Sequence, residues 1–146
     1  MMSANVRPES AVAEAWGLLQ TLMLDVQRPR FLLLCSEFDM TPPQLMTLRR
    51  LTTDDPVPTS EVAKWLCCDA SNVTGIVDRL EARGLVERRP APGDRRVKML
   101  ALTERGAALA EEIARRMAVP PEPLAELSAA DQRALRDILQ RALARG

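Results

Sequence analysis

Apolar positions along this chain recur with helical spacing in most segments and with strand-like runs in one. Val12, Trp16, Leu19, Met23 and Val26 follow one another at three- and four-residue steps, so residues 9–27 read as an amphipathic helix. Pro8 suits the first turn of that helix. Pro29 then interrupts the pattern ahead of Phe31, Leu32, Leu33 and Leu34, and either kinks the helix or separates two. One kinked helix to about Ser36 is the preferred reading. Thr41-Pro42-Pro43-Gln44 opens the next helix, with Thr41 as cap, Pro42 at the first helical position and Gln44 completing a capping box. That helix ends near Leu51, and residues 54–58 connect it to the next. Thr59 or Ser60 caps a short helix over Val62, Ala63, Trp65 and Leu66.

Asp69 is placed to cap a further helix whose buried stripe is Val73, Ile76, Val77 and Leu80, and Gly84 ends it in a left-handed conformation. Residues 85–89 and 96–102 read as two strands, with Pro90-Ala91-Pro92-Gly93-Asp94 as the turn between them. Thr103 caps a fifth helix that runs to about Met117. Pro120, Pro121 and Pro123 break it, and Ser128 with Asp131 caps a last helix carrying Leu135, Ile138, Leu139 and Leu143. The predicted order is four helices, a hairpin and two helices. The fold class is mainly α, a winged helix-turn-helix with a two-stranded wing flanked by N- and C-terminal helices. A single domain is expected over 1–146. Residues 9–53 form its N-terminal dimerisation and support helices, 56–102 the winged lobe, and 103–146 its C-terminal dimerisation helices. Gly106, Leu109, Ala110, Ile113 and Met117 also recur at helical spacing. Pairing this face and those of the first and last helices with a second copy is the largest burial available, so a homodimer is expected.

Charge narrows the reading. The chain carries 20 cations and 20 anions, yet residues 79–98 hold seven cations against three anions, a net +4. The remainder of the chain is correspondingly acidic. One basic segment on an otherwise acidic body is the layout of a protein that meets phosphate with one part only. The helix over 70–83 turns Ser71, Gly75, Asp78 and Ala82 directly away from its buried stripe, with Asn72, Thr74 and Arg79 at the edges. Small residues admit a close backbone approach. Asn72 and Arg79 have the bidentate geometry that suits adenine and guanine edges in a major groove. The hairpin tip carries Arg95 and Arg96, with Lys98 behind them, and a thin cationic tip suits a narrow minor groove. The candidate DNA-contacting set is therefore Ser71, Asn72, Thr74, Arg79, Arg95, Arg96 and Lys98. Asp94 is expected to pair with a neighbouring arginine and so fix the shape of the wing. A winged-helix module that binds another protein is the alternative, but such a module has no need of Arg95 and Arg96 beside a polar helix face.

Residues 70–89, from Ala70-Ser71-Asn72-Val73-Thr74 through Asp78-Arg79-Leu80 to Arg88-Arg89, resemble the multiple-antibiotic-resistance regulator (MarR) family. So does the run Asp94-Arg95-Arg96-Val97-Lys98 continuing to Thr103-Glu104-Arg105-Gly106. The flanking helices match that family in order and length, and Pro29 departs from its usual run. The resemblance implies a transcriptional regulator, typically a repressor, that binds a palindromic operator of double-stranded DNA as a homodimer. It further implies a recognition helix at 70–83, a wing arginine in the minor groove, and release from DNA by a small phenolic or lipophilic effector.

Other chemistries find little support. There is no His and no Tyr, and neither a Gly-rich phosphate loop nor a carboxylate pair at a meaningful spacing, so an enzyme is not expected. No cofactor is expected. Cys35, Cys67 and Cys68 are read as free thiols acting as small buried apolar residues. The adjacent pair suits neither a disulfide nor a metal, and no His could complete a metal site. No apolar run reaches the ~18 residues of a membrane span, and residues 1–20 lack a secretory pattern. A cytoplasmic location with no membrane association is the expectation.

Overall fold

A computed structural model describes residues 10–144, which divide into two compact units, residues 10–28 with 118–144 and residues 29–117. In this division residues 29–53 and the fifth helix fall in the same unit as the winged lobe. The capping role of Pro8 lies outside the described residues.

In the first unit, α1 spans Ala11–Thr21 and is capped by Ser10, whose hydroxyl accepts the Ala13 amide at 3.3 Å. A π-helical turn, Leu22–Gln27, follows directly; the next helix, α2 (Arg28–Glu37), belongs from Pro29 onward to the second unit. The pattern therefore neither splits into two helices nor stays regular. Proline lacks an N–H and its ring crowds the carbonyl four residues back. The wider π turn ahead of Pro29, in which the Arg28 amide reaches the Met23 carbonyl, relieves that crowding. The four-residue helix α7 (Glu122–Ala125) and the last helix α8 (Ala129–Leu143) complete this unit. The Ser128 hydroxyl accepts the Asp131 amide at 3.1 Å and donates to its carboxylate at 2.6 Å, the expected cap.

The second unit holds the core. Helix α3 (Pro42–Arg50) starts as predicted, with Gln44 Oε1 accepting the Thr41 amide at 3.0 Å. Helices α4 (Thr59–Leu66) and α5 (Ala70–Ala82) form the helix-turn-helix. Cys67, at φ +50°, turns the chain between them, and the Cys68 amide closes the turn on the Ala63 carbonyl at 3.1 Å. Neither Thr59 nor Ser60 caps α4, because Pro58 holds that position, and Asp69 stands at the N-cap of α5 without a side-chain cap bond.

Strands β2 (Val86–Ala91) and β3 (Asp94–Leu102) form the predicted hairpin. It is longer and its loop tighter than expected, since Ala91 pairs with Asp94 and only Pro92-Gly93 remain outside the ladder. Gly93, at φ +83°, occupies the position of a type II turn that excludes most side chains. Pro90 is tolerated inside β2 because the strand is an edge, and the register shifts just after it. A third strand was not anticipated: β1, Val57–Pro58, pairs antiparallel with β3 and gives the order β1-β3-β2. Two residues, one a proline, carry no readable alternation, so its signal in the sequence was nil.

Val73, Val77 and Leu80 of α5 are buried as the stripe predicted, against Leu45, Leu48, Val62 and Leu100. Ile113 of α6 (Glu104–Ala118) is fully buried in the same core, with Leu109, Ala110 and Met117 packed partly against it. The α6 face expected to pair with a second copy is thus spent on the lobe itself.

Candidate nucleic-acid interface

Four anchors hold α5 and the hairpin in place. Gly84 (φ +69°) ends α5 as predicted, and its carbonyl accepts the Thr103 hydroxyl at 2.6 Å. That hydroxyl also accepts the Gly106 amide at 3.0 Å, so one threonine caps α6 and ties it to the end of α5. Arg83 donates to the carbonyls of Phe38 (3.0 Å) and Asp39 (2.8 Å) at the C-terminal end of α2, where a cation is favourable. Arg89 donates to the Glu87 carboxylate at 2.7 Å and to the Thr53 carbonyl at 3.0 Å, fixing the outer side of β2. Arg88 crosses from β2 to α5 and pairs with both Asp78 and Glu81.

These contacts sort the basic segment. Arg83, Arg88 and Arg89 are engaged within the lobe, whereas Arg79, Arg95, Arg96 and Lys98 make no ion pair among the described residues. Ser71, Asn72, Thr74 and Gly75 are exposed along the N-terminal half of α5, and the Thr74 hydroxyl is turned back to the Ala70 carbonyl at 3.1 Å. Arg79 sits further along, at the edge of a cleft of about 450 Å3 shared with Ser36, Asp39, Gln44 and Arg83. Arg95, Arg96 and Lys98 are all exposed on β3. Side chains alternate along a strand, so Arg96 and Lys98 share the face of buried Leu100, and Arg95 projects from the other. Asp94 departs from expectation: its carboxylate accepts the Arg96 main-chain amide at 2.9 Å and pairs with no guanidinium among the described residues. A short side chain beside a two-residue loop reaches the nearest free N–H before it reaches a mobile arginine.

The sequence did not reveal the partners of Arg83, Arg88 and Arg89. They are separated by up to 45 residues and meet only through tertiary structure.

The MarR family model matches residues 40–98, the stretch that contains α3, the helix-turn-helix and most of the wing. Over those residues the chain is similar to the MarR family. Among curated relatives, the HTH-type transcriptional repressor NicR of Pseudomonas putida is 44% identical over 70 residues, covering 48% of this chain and 44% of that protein. The chain spans about half the length of the curated relatives it matches. The crystal structure of YusO from Bacillus subtilis superposes with a TM-score of 0.71 at 28% identity, over 94% of this chain and 100% of that one. NadR in complex with 4-hydroxyphenylacetate gives a TM-score of 0.64 at 25% identity, over 99% of this chain and 96% of that one. The fold is thus the winged helix of MarR proteins. Its relatives are transcriptional regulators and not enzymes. Among the described residues no helix is long and apolar enough to cross a membrane.

The three thiols stand in three environments, which corrects the expectation that all are buried. Cys35 is buried in α2, Cys68 is half-buried, and Cys67 is exposed in the turn before α5. Burial pushes the Cys35 thiol above its ordinary range by disfavouring the thiolate. A disulfide reagent at pH 8 is therefore expected to label Cys67 rapidly and Cys35 only on unfolding. Rapid labelling of Cys35 in a Cys67→Ser, Cys68→Ser variant would contradict this.

Proposed function

We propose that this protein is a sequence-specific DNA-binding transcriptional regulator that reads an inverted repeat in double-stranded DNA as a homodimer. The observation that carries this reading is the sorting of charges: Arg83, Arg88 and Arg89 are engaged within the lobe, while four cations with no ion pair among the described residues line the outer parts of α5 and β3. In this reading α5 enters the major groove. Asn72 meets base edges, Ser71 and Thr74 assist at its N-terminal half, and Arg79 reaches phosphate or guanine. Arg95 and Arg96 serve the minor groove and Lys98 the backbone beside it. Asp94 shapes the wing through the Arg96 amide.

The dimer is supported by apolar residues left exposed in the first unit. They include Trp16, Leu18 and Met23 on the N-terminal segment and Ile138, Leu139 and Leu143 on α8. A second copy of the chain is the partner that would bury them, through these segments and not through α6. Repression of transcription is favoured by the likeness to NicR, and a small phenolic effector by the likeness to NadR, which is solved with 4-hydroxyphenylacetate. A cytoplasmic location follows from this function. Metal and cofactor have no part in it.

Selection of duplexes from a random pool tests the reading. The wild-type protein is expected to enrich an inverted repeat with half-site centres about one helical turn, ~34 Å, apart and to sediment as a dimer. Asn72→Ala is then expected to cost about 1–3 kcal/mol on the selected duplex and much less on random DNA. Equal weakening on both would remove α5 as the sequence reader. Failure to enrich any duplex would remove the DNA-binding reading itself.

A further inference from the structure

The outward surface of α5 carries a feature unsuited to a polyanion. Asp78 and Glu81 are both exposed there, one turn apart. Two free carboxylates facing phosphate would oppose binding, since like charges repel across the few ångströms of a contact. Arg88 addresses both. It lies on β2 opposite Leu100, so its side chain leaves the hairpin on the face that carries the core residues and is directed toward α5. One guanidinium nitrogen lies 2.5 Å from Asp78 Oδ1, and another bonds Glu81 Oε2. The arginine side chain is only 27% exposed, against 58% for Asp78 and 42% for Glu81. The planar fork of arginine can hold two carboxylates at once, which a lysine cannot do with fixed geometry.

We infer that Arg88 is a positioning residue for DNA recognition: it masks the two carboxylates of α5 and locks the wing strand to that helix, so that helix and wing present one surface. This inference rests on the DNA-binding reading above. Exposed ion pairs add little to fold stability, so stability alone gives the cluster small value. Its consequence lies in the field it presents. With Arg88 in place the three side chains sum to one negative charge, and without it to two uncovered ones, beside the unpaired Arg96 and Lys98 that share the wing face. The pairing also crosses from strand to helix, whereas Arg89 and Glu87 pair within β2 alone.

The test uses the duplex that the full-length wild-type protein selects from a random pool. Arg88→Ala is expected to weaken binding to that duplex by at least about tenfold at low salt, with the melting temperature little changed. Adding Asp78→Asn and Glu81→Gln to Arg88→Ala is expected to restore affinity to within about threefold of wild type, because the charges that needed masking are gone. Arg88→Lys is expected to fall between the two. The Asp78→Asn, Glu81→Gln variant with Arg88 retained serves if Arg88→Ala does not fold. It frees a cation and is expected to bind random duplexes more tightly than wild type, with a steeper salt dependence. An Arg88→Ala protein that binds within about twofold of wild type, or a triple variant that recovers nothing, overturns the inference. So does a carboxamide double variant with unchanged salt dependence. If the wild-type protein selects no duplex, the failure belongs to the DNA-binding reading and not to Arg88.

Discussion

Replacing Arg95 and Arg96 together by alanine is expected to lower DNA affinity on every sequence, by on the order of 100- to 1000-fold at about 0.1 M salt. Both side chains are exposed at the wing tip, neither forms an ion pair among the described residues, and the tip is held by a two-residue Pro92-Gly93 loop. Their loss therefore removes charge without disturbing the core. A dimer would lose four cations, and the slope of log affinity against log salt should become shallower by up to about 3–4. The loss should be nearly the same on a selected duplex and on random DNA, because the minor groove distinguishes A·T from G·C only coarsely. The main-chain bond from the Arg96 amide to Asp94 survives the substitution, so the hairpin keeps its shape. Titrations at four or five salt concentrations give both numbers. An unchanged slope would show that the wing does not touch the DNA.

Gly106→Ala is expected to destabilise the protein by about 3 kcal/mol, the upper end of ordinary overpacking. At most exposed helical sites the same change would stabilise by about 1 kcal/mol, through the lower backbone entropy of alanine. Here a Cβ would lie 1.8 Å from the Leu85 carbonyl oxygen and 2.8 Å from its carbon. Both are backbone atoms and no rotamer change can move them. The Leu85 carbonyl also accepts the Thr103 amide at 3.1 Å, so pushing it away breaks the junction at which α6 begins. For a chain of this length the melting temperature should fall by roughly 6–12 °C. A melting temperature equal to or above that of the wild type would mean that α6 does not approach Leu85 so closely.

The hydrophobic pattern by itself determined most of the helices and the hairpin. The Val73, Val77 and Leu80 stripe, the Gly84 and Ser128 caps and the Thr41–Gln44 box are local signals, and local signals survive without knowledge of neighbours. The exposed polar face of α5 and the cationic wing tip were legible for the same reason: helical and strand periodicity assign a face to each residue before any partner is known. What was not legible depended on contacts between segments far apart in the chain. The strand Val57–Pro58 exists because β3 offers it an edge, not because of its own sequence. Periodicity gave α6 an apolar face, but only packing could decide that Ile113 fills the lobe's core and does not await a second copy. Charge counting gave a net +4 segment, and tertiary structure divided it into arginines that hold the lobe together and cations that remain free. The physical reason is common to all three. A sequence specifies the direction in which a side chain leaves its own element, and only the packing of elements decides whether water, core or an opposite charge lies at the end of it.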